Sequence, residues 1–169
     1  MRLQRDYFLQ PTLHVAQDLL GKKLTFKDFS GIITETEAYI SQDDPACHAA
    51  RGRTPRTSIM FGVGGFSYVY FIYGMYFCFN VVTEAEGFPA AVLIRGLRLL
   101  NPETKNFDGP GKLCRHLGIT KEHNGIDLTC AEDFYIEDSH LKPDFLATPR
   151  IGIKVATDKL WRFVEVKRT

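Results

Sequence analysis

Residues 61–82 form an uninterrupted run of 22 positions without a charged side chain. A run of this length is long enough for a helix to cross a membrane. Its four glycines and its aromatic, β-branched composition favour strands instead. We predict a buried β-hairpin with strands near residues 66–72 and 77–82, joined by a turn at the sequence YGMY. A membrane helix is the alternative that the length of the run leaves open.

The remaining patterns predict short helices and further strands. Apolar spacing, with proline near the start and glycine after the end, predicts helices over residues 11–20 and 110–117. Apolar patterns predict strands over residues 31–40, 90–95 (ending at Arg95), 151–155 and 160–166. No repeat or composition break marks a linker, and 169 residues fit one domain. We predict one α+β domain over residues 1–169, mostly antiparallel sheet with a few short helices.

The N-terminal segment and the charge distribution bear on location and partners. The first ten residues lack the apolar core of a signal peptide, so we expect a cytoplasmic protein. The net charge of +1 does not by itself indicate a nucleic-acid partner. No acidic residue lies between Asp44 and Glu84, and this gap carries +3 through Arg51, Arg53 and Arg56. Such a basic patch fits contact with a few phosphates, and a solvated loop explains it equally well.

Four cysteines raise the question of a metal site. They are Cys47, Cys78, Cys114 and Cys130, and no two of them form a C-x-x-C pair. Histidines lie close to two of them, but structural zinc requires four ligands in recognisable pairs. We therefore predict no bound metal, and thiols that stay reduced inside the cell.

The strand predicted over residues 31–40 places two carboxylates and an aromatic ring on one face. Alternate residues of a strand lie about 7 Å apart on the same side. This alternation groups Ile33, Glu35, Glu37 and Tyr39. A carboxylate can deprotonate water or stabilise an oxocarbenium-like transition state, and a ring can stack on a substrate. An exposed strand face with ordinary solvated glutamates is the alternative.

Aromatic side chains mark both the strands and the tip of the predicted hairpin. Tyr68 and Tyr70 share a strand face, where core packing is the simplest explanation. Tyr73, Met75 and Tyr76 lie at the tip, which is normally a polar surface turn. Exposed apolar side chains at such a tip indicate a function, for example wedging between stacked bases.

Three further polar features could bind a ligand. Asn80 lies among apolar neighbours and Arg95 ends an apolar strand, so each is either a paired core group or a ligand-binding group. The sequence GPGKLC at 109–114 places free backbone N–H groups and Lys112 at a helix start, where a phosphate can bind. It lacks the P-loop spacing, so binding of a nucleoside triphosphate is not implied.

Several motifs occur together and in order along nearly the whole chain. They are ETEAY at 35–39, His48, GRTPR at 52–56, MFG at 60–62, YVYFIYGMYFCFN at 68–80, LIRG at 93–96, GPGKLC at 109–114 and PRIGI at 149–153. With these motifs the chain resembles the alkyladenine (3-methyladenine) DNA glycosylases, the methylpurine-DNA glycosylase family. It departs from many relatives at Gly64-Gly65, Tyr76 and Leu160, which stand in place of Pro-Gly, histidine and proline. The first departure predicts a looser turn.

The resemblance implies a monofunctional enzyme of DNA base-excision repair, without a lyase step. Such an enzyme flips alkylated or deaminated purines (3-methyladenine, 7-methylguanine, hypoxanthine, ethenoadenine) out of double-stranded DNA. It then hydrolyses the N-glycosidic bond with a Glu-activated water and leaves an abasic site. We accordingly expect no cofactor, a monomer that acts on the bacterial nucleoid, and an open, barrel-like sheet from which the hairpin protrudes.

The resemblance also assigns roles within the pocket. Glu37 corresponds to the general base, and Arg95 to the arginine that helps to hold the attacking water. Tyr39, His48 and Tyr70 correspond to the side chains that sandwich the flipped base, and the backbone N–H of His48 contacts its edge.

Further roles concern specificity and DNA binding. Asn80 corresponds to the residue that crowds the exocyclic amino group of guanine and so disfavours normal guanine. Tyr73 corresponds to the side chain that fills the gap in the duplex, and Met75 and Tyr76 complete the intercalating loop. The expected contacts with the DNA backbone are Arg53, Thr54 and Lys112.

Three other functions fit parts of the pattern. A non-catalytic module that binds distorted nucleic acid could share the fold, but it would not need a water-activating Glu37 with Arg95. A zinc-dependent base deaminase would need the H-x-E and P-C-x-x-C signatures, which the sequence lacks. A sugar-directed glycosidase could use Glu35 and Glu37 as its carboxylate pair, but the tyrosines would then be unexplained.

Overall fold

A nine-stranded antiparallel sheet dominates the computed structural model, which describes residues 1–167. Its strands are β1 (Lys23–Phe26), β2 (Phe29–Ile40), β3 (Ser67–Ile72), β4 (Tyr76–Val82), β5 (Ala90–Asn101), β6 (Lys105–Phe107), β7 (Phe134–Glu137), β8 (Phe145–Thr148) and β9 (Arg162–Glu165). The helices of the described part are α1 (Arg5–Phe8), α2 (Thr12–Asp18) and α3 (Pro110–Leu117). Short 3-10 helices cover His48–Arg51, Ser58–Phe61 and Lys121–His123. The predicted α+β class is confirmed.

Two long strands hold the sheet together. β2 pairs with β5 along most of its length; on its other side it pairs with β1 in its first half and with β9 in its second half. The strand order is β3-β4-β5-β2-β1-β7, with β6 beside β5 and β8 beside β9. The sheet curls into a half-barrel, which confirms the predicted open, barrel-like architecture. β2 is thus an interior strand, and Glu35 and Glu37 in its second half are buried.

The main hydrophobic core lies between the sheet and the helices α2 and α3. α2 buries Val15 and Ala16 and packs against β2, while α3 packs against β4 and β5. Pro110 occupies the first turn of α3, and Gly118 caps its end with a φ of 83°. These two residues set the predicted bounds of that helix, and α2 is a shorter form of the helix predicted over residues 11–20.

Three register shifts interrupt the ladder between β2 and β5, and the two on either side of Glu35 correct two predictions. The register skips Thr34 on β2 and Arg95 on β5. Strict alternation would place Ile33 and Ala38 on opposite faces, yet both side chains lie in the main core. The predicted grouping of Ile33 with Glu35 and Glu37 is therefore wrong, because the bulge switches the face between them. Arg95 does not end its strand either, since β5 continues to Asn101.

The predicted hairpin is confirmed, with β3 and β4 paired from Ser67–Val81 to Ile72–Tyr76. Its turn places Tyr73 and Gly74 at φ values of 53° and 62°, and the N–H of Met75 donates to the Ile72 carbonyl over 3.0 Å. A positive φ at a tyrosine is uncommon and costs roughly 1–2 kcal/mol relative to glycine. No helix among residues 1–167 is long and apolar enough to cross a membrane.

The C-terminal segment corrects another prediction. Residues 151–155, predicted as a strand, form turns, and the strand that precedes β9 is instead β8, which pairs with it. The N–H of Ile151 donates to the Glu37 carboxylate, so it is not available to a strand ladder. The strand predicted over residues 160–166 is confirmed as β9.

The turn before β3 is held closely at its two glycines. Gly64 donates to the Glu84 carbonyl over 2.9 Å, and Gly65 donates to the Val82 carbonyl over 2.8 Å. A Cβ at Gly64 would lie 2.5 Å from the Phe8 carbonyl oxygen, which is closer than real contacts allow. In this chain a side chain at position 64 would therefore need a shift of the Phe8 backbone, and the looser turn stays a prediction.

Candidate active site

A cavity of about 390 Å³ opens between the hairpin, the middle of β2 and β5, the start of α3 and the segment after Pro149. The walls are mostly aromatic and apolar, and a few polar groups converge on them, as is typical of ligand sites. The polar and charged side chains that line it include Glu37, Tyr39, His48, Tyr68, Tyr70, Tyr73, Tyr76, Asn80, Arg95 and Lys112.

Glu37 is the carboxylate of this cavity, and both of its oxygens accept hydrogen bonds. It pairs in register with Leu93 on β5 and with Arg162 on β9, and none of its surface is exposed. Oε1 accepts from the Tyr39 hydroxyl over 2.7 Å, and Oε2 accepts from the Ile151 N–H over 2.7 Å. The two donors fix the plane of the carboxylate.

Burial raises the pKa values of both Glu37 and Tyr39. Desolvation raises the pKa of Glu37 above its usual value, while the Ile151 N–H, the Arg95 charge and the Tyr39 hydroxyl lower it in part. Burial, and then the Glu37 charge, raises the pKa of Tyr39, so its hydroxyl keeps the proton that it donates. A carboxylate with a raised pKa is a stronger base than an exposed glutamate once it is ionised.

Arg95 lies between two glutamates but is nearer to Glu35. Its Nε donates to Glu35 Oε2 over 2.8 Å and lies 3.7 Å from Glu37 Oε2. Arg162 Nε donates to the same Glu35 oxygen over 2.6 Å. Glu35 is only 6% exposed. The alternative of an ordinary solvated strand face is therefore wrong for both glutamates.

One wall of the cavity is aromatic. His48 Nδ1 lies 3.0 Å from the Tyr68 hydroxyl, and its ring centroid lies 4.2 Å from that of Tyr70 in an edge-to-face arrangement. Burial, and then the nearby Arg56, lowers the pKa of His48 to about 4, so its imidazole is neutral near pH 7. Tyr39 lines the same cavity. His48 and Tyr70 are in contact with each other, so a flat, aromatic ligand can stack on the rings of this wall but cannot enter between these two.

Asn80 contributes a buried amide to the cavity. It is 2% exposed, and its Nδ2 donates to the Tyr68 carbonyl over 3.2 Å. Cys78 also lines the cavity. Burial raises the pKa of its thiol to about 11, so the thiol is neutral. The amide is thus paired in the core and also lies at the cavity, and its contact with a ligand stays a prediction.

The rim of the cavity carries the hairpin tip and the start of α3. Tyr73 is 78% exposed and Met75 is 68% exposed. Tyr76 lies over Gly111, where an added Cβ would come within 2.6 Å of the tyrosine ring. This glycine lets the hairpin pack closely against the start of α3. Lys112 lies on the same rim, largely exposed, with its Nζ 3.1 Å from the Asp108 carboxylate.

Comparison with known proteins decides the family. The family model described as "Methylpurine-DNA glycosylase (MPG)" matches residues 6–169. The chain belongs to the methylpurine-DNA glycosylase family. A Wolbachia pipientis protein described as "Putative 3-methyladenine DNA glycosylase" is 63% identical over 98% of this chain and 92% of its own length. Relatives of the same description from Sodalis glossinidius and Rickettsia felis are 63% and 58% identical, over 95% and 96% of this chain and 95% and 92% of their own lengths.

Membership of the methylpurine-DNA glycosylase family makes this chain a DNA glycosylase, whose substrate is DNA. A zinc-dependent deaminase and a sugar-directed glycosidase do not fit this family. Glu35, the second carboxylate that a sugar glycosidase would need, does not line the cavity. Among residues 1–167, no three His, Cys, Asp or Glu side chains are grouped so that they could hold a metal ion.

The structure brings together most residues that the glycosylase resemblance singled out. The residues inside the cavity are Glu37, Tyr39, His48, Tyr70, Asn80 and Arg95, and those at its rim are Tyr73, Tyr76 and Lys112. Met75, Arg53 and Thr54 do not line the cavity. Arg53 lies near the Phe61 ring, and the Thr54 hydroxyl lies 3.1 Å from that of Thr57.

Sequence reasoning missed the groups that hold the glycosylase pocket in place. Ile151 acts through its backbone, which no side-chain pattern reveals, although it lies in the PRIGI motif. Arg162 reaches Glu35 from 127 residues away in the chain. Tyr68, expected in the core, is 1% exposed but also lines the cavity. Asp44 and Arg150 form a buried ion pair beside the cavity, and only three-dimensional proximity reveals it.

Proposed function

We propose that this chain is a monofunctional glycosylase that flips alkylated or deaminated purines out of double-stranded DNA and hydrolyses their N-glycosidic bond. The lesion class includes 3-methyladenine, which the descriptions of its relatives name. The observation that carries the proposal is Glu37, a buried carboxylate with a raised pKa at an aromatic cavity. The alternative is a module that binds distorted DNA without cleaving it.

In the proposed reaction Glu37 accepts a proton from water as the water oxygen attacks C1′ of the flipped nucleotide. The bond between C1′ and the purine nitrogen breaks, and its electron pair leaves with the base. An N3- or N7-alkylated purine carries a positive charge and departs neutral, so the enzyme has less leaving-group activation to supply. A neutral lesion such as hypoxanthine departs as an anion and takes up a proton from solvent. The products are the free base and an abasic site.

The electrostatics of the cavity favour a cationic base. Tyr39 and Tyr70 keep their protons, because burial raises both pKa values, and their electron-rich faces attract a positive ring. The neutral imidazole of His48 adds no repelling charge to the same wall. Selectivity for alkylated purines thus has two sources, the charge of the lesion and its weaker base pairing.

Asn80 provides selection against normal guanine in this proposal. Its amide lies at the cavity with Nδ2 bound to the Tyr68 carbonyl, so the side chain cannot easily swing aside. The exocyclic amino group of guanine would be crowded by this side chain and would lose its contacts with water. Adenine-type lesions that carry no amino group at that position avoid this loss.

Contact with the duplex is assigned to the rim. Tyr73 at the exposed tip would fill the gap that the flipped base leaves, with Met75 and Tyr76 beside it. Arg53, Thr54 and Lys112 would contact backbone phosphates on either side of the lesion. One chain carries both the cavity and this rim, so we propose that the enzyme acts as a monomer.

An excision assay tests the proposal. The protein is incubated with alkylated duplex DNA, and the released bases are identified by mass. We expect release of 3-methyladenine by the unaltered protein and none by Glu37→Gln, whereas Glu86→Gln on the exposed surface serves as the matched control. Lesion binding without any base release by the unaltered protein would instead support the non-catalytic module.

A second measurement tests for the absence of a lyase step. A lyase forms a Schiff base between an amine of the protein and the abasic sugar, and borohydride traps it. The amine at the rim is Lys112, which pairs with Asp108. We expect no trapped protein–DNA adduct. A trapped adduct that is lost in Lys112→Met would contradict the monofunctional assignment.

A further inference from the structure

Asp44 and Arg150 form a buried ion pair next to the candidate active site. Arg150 Nη1 donates to Asp44 Oδ2 over 2.6 Å, and Nη2 donates to Oδ1 over 2.9 Å. Their side chains are 1% and 0% exposed, and 106 residues of chain separate them. The pair joins two remote parts of the sequence. Asp44 lies just after the end of β2, and Arg150 lies directly before the turns at residues 151–155.

Arg150 is adjacent to both groups that bind Glu37, to Tyr39 in space and to Ile151 in the chain. Its guanidinium carbon lies 4.8 Å from the centroid of the Tyr39 ring, and the Tyr39 hydroxyl donates to Glu37 Oε1. The residue after Arg150 is Ile151, whose N–H donates to Glu37 Oε2. Nη1 of Arg150 also donates to the Ala38 carbonyl over 3.0 Å, which ties it to β2 between Glu37 and Tyr39.

Asp44 connects the same pair to the aromatic wall. Its carboxylate accepts the N–H groups of Ile40 and Ala46, each over 3.1 Å. Its carbonyl accepts the Cys47 N–H over 2.9 Å, directly before His48. The loop that carries His48 and the turn that carries Ile151 are thus fastened to β2 through one carboxylate and one guanidinium.

We propose that Asp44 and Arg150 are positioning residues for Glu37, which hold the Ile151 N–H and the Tyr39 hydroxyl against its two oxygens. The inference rests on the proposed function of Glu37 as the general base. Neither residue lines the cavity, so neither touches the substrate or the water. They act by keeping the carboxylate in one orientation, and misplacement of a reacting group by about 1 Å can slow a reaction roughly 100-fold.

A purely structural role accounts less well for this pair. A buried ion pair is often no more stabilising than well-packed apolar residues of the same volume. Arg150 Nε has no hydrogen-bond partner within residues 1–167, so the guanidinium is not fully satisfied where it lies. Its guanidinium reaches Ala38, Tyr39 and Asp44 around the base, and it also lies over the Trp161 ring, 5.0 Å from the ring centroid. The guanidinium of Arg150 is thus oriented towards the groups around Glu37, although this orientation leaves its Nε without a hydrogen bond to any described residue.

The positioning role predicts a change in the pH dependence of excision. The groups that shift the pKa of Glu37 are Glu35 and Tyr39 on β2, Arg95 on β5 and the Ile151 N–H. Tyr70 on β3 and Cys78 on β4 also lie near it, and the Glu37 charge raises the pKa of each. The Ile151 N–H lowers the pKa of Glu37. Loss of this donor raises that pKa, so the fall of the rate at acid pH moves to higher pH.

Two variants separate positioning from charge. Arg150→Lys keeps the positive charge but loses the two-pronged contact with Asp44. Asp44→Asn removes a negative charge, which by charge alone would lower the pKa of Glu37 and move the acid limb to lower pH. Positioning predicts the opposite, a shift to higher pH in both variants, with single-turnover excision slower by roughly 10-fold to 100-fold.

Arg5→Lys is the matched control, because Arg5 pairs with Asp127 away from the cavity. Rates are measured at saturating enzyme and corrected for the folded fraction, which thermal unfolding gives. We expect unchanged kinetics in the control, and retained binding to a duplex abasic-site analogue in the two test variants.

The outcomes distinguish the positioning role of Asp44 and Arg150 from the proposed role of Glu37 as the general base. An unaltered rate and pH profile in a folded Arg150→Lys protein would overturn the positioning role and leave Glu37 as the base. An Arg150→Lys protein that does not fold would also overturn it, since the pair would then serve stability. Full activity of Glu37→Gln would instead overturn the proposed function itself.

Discussion

Arg95 donates a hydrogen bond to Glu35 and forms only a longer ion pair with Glu37. Its Nε lies 2.8 Å from the first carboxylate and 3.7 Å from the second, so the proposed base has no hydrogen bond from an arginine. A hydrogen-bonded ion pair would stabilise the ionised carboxylate more strongly and would make it a weaker base. Glu35 instead takes the arginine, together with Arg162, and leaves Glu37 with two neutral donors.

We predict that Glu37→Gln and Glu35→Gln have unequal effects on excision. Glu37→Gln should lower single-turnover excision roughly 100-fold to 10,000-fold, the range for loss of a general base. Binding of a lesion should persist, because glutamine keeps the shape. Glu35→Gln should cost less activity but more stability, because it leaves Arg95 and Arg162 without their carboxylate. Equal losses of activity in two folded variants would sink the assignment of the base to Glu37.

We predict that Glu37→Gln stabilises the protein at neutral pH. Burial raises the pKa of Glu37 in the folded state, so the folded protein binds this proton more tightly than the unfolded chain. The stability contributed by protonated Glu37 is therefore lost as pH rises from the unfolded pKa through the folded one. Glutamine avoids this loss, since its oxygen can accept from Ile151 and its amide can donate to the Tyr39 hydroxyl oxygen.

Thermal unfolding across pH checks this stability prediction. The Tm of Glu37→Gln should exceed that of the unaltered protein near pH 7, and the difference should shrink below the pKa of Glu37. The excision rate of the unaltered protein should fall over the same pH range, because a protonated Glu37 cannot accept a proton. A variant that is less stable than the unaltered protein at neutral pH would contradict the predicted cost of burying the charge.

We predict that the hairpin tip contributes to DNA binding and not to folding. Tyr73→Gly should weaken binding to a duplex abasic-site analogue by about 1–3 kcal/mol, the range for base–aromatic stacking. Its Tm should not fall, because Tyr73 is 78% exposed and glycine adopts its φ of 53° without strain. Excision from single-stranded DNA should suffer less than excision from a duplex, because no gap needs filling.

Phe71→Ala is the control for the hairpin tip. Phe71 is half-exposed on the same hairpin, does not line the cavity, and packs on Phe77 with ring centroids 4.8 Å apart. It should lose some stability and little affinity, the reverse of Tyr73→Gly. A Tyr73→Gly protein that is unstable and equally impaired on both substrates would refute the wedge.

We predict that catalysis needs no metal ion. The residues at positions 1–167 hold no grouping of three or more potential ligands among His, Cys, Asp and Glu. Excision measured after dialysis against excess chelator should therefore proceed at the rate of the untreated protein. A loss that added zinc restores would show that the cysteines and their neighbouring histidines bind metal after all.

Local sequence determined the hairpin and the ends of α3. The strands on either side of Tyr73 follow from residue composition and from the turn, and both act within a few residues. Pro110 and Gly118 fix the bounds of α3 through their own backbone preferences. The family motifs further named the residues of the cavity, but they did so through resemblance and not through spacing.

Only the tertiary structure decided how Glu37 is held. The bulges at Thr34 and Arg95 arise from pairing between two strands that lie far apart in the sequence, so alternation within β2 misplaced Ile33. The Ile151 N–H reaches Glu37 from 114 residues away, where the local apolar pattern had predicted a strand. Hydrophobic periodicity indicates which side chains prefer burial. It does not indicate which remote backbone N–H will bind a buried carboxylate, because that depends on how the sheet closes.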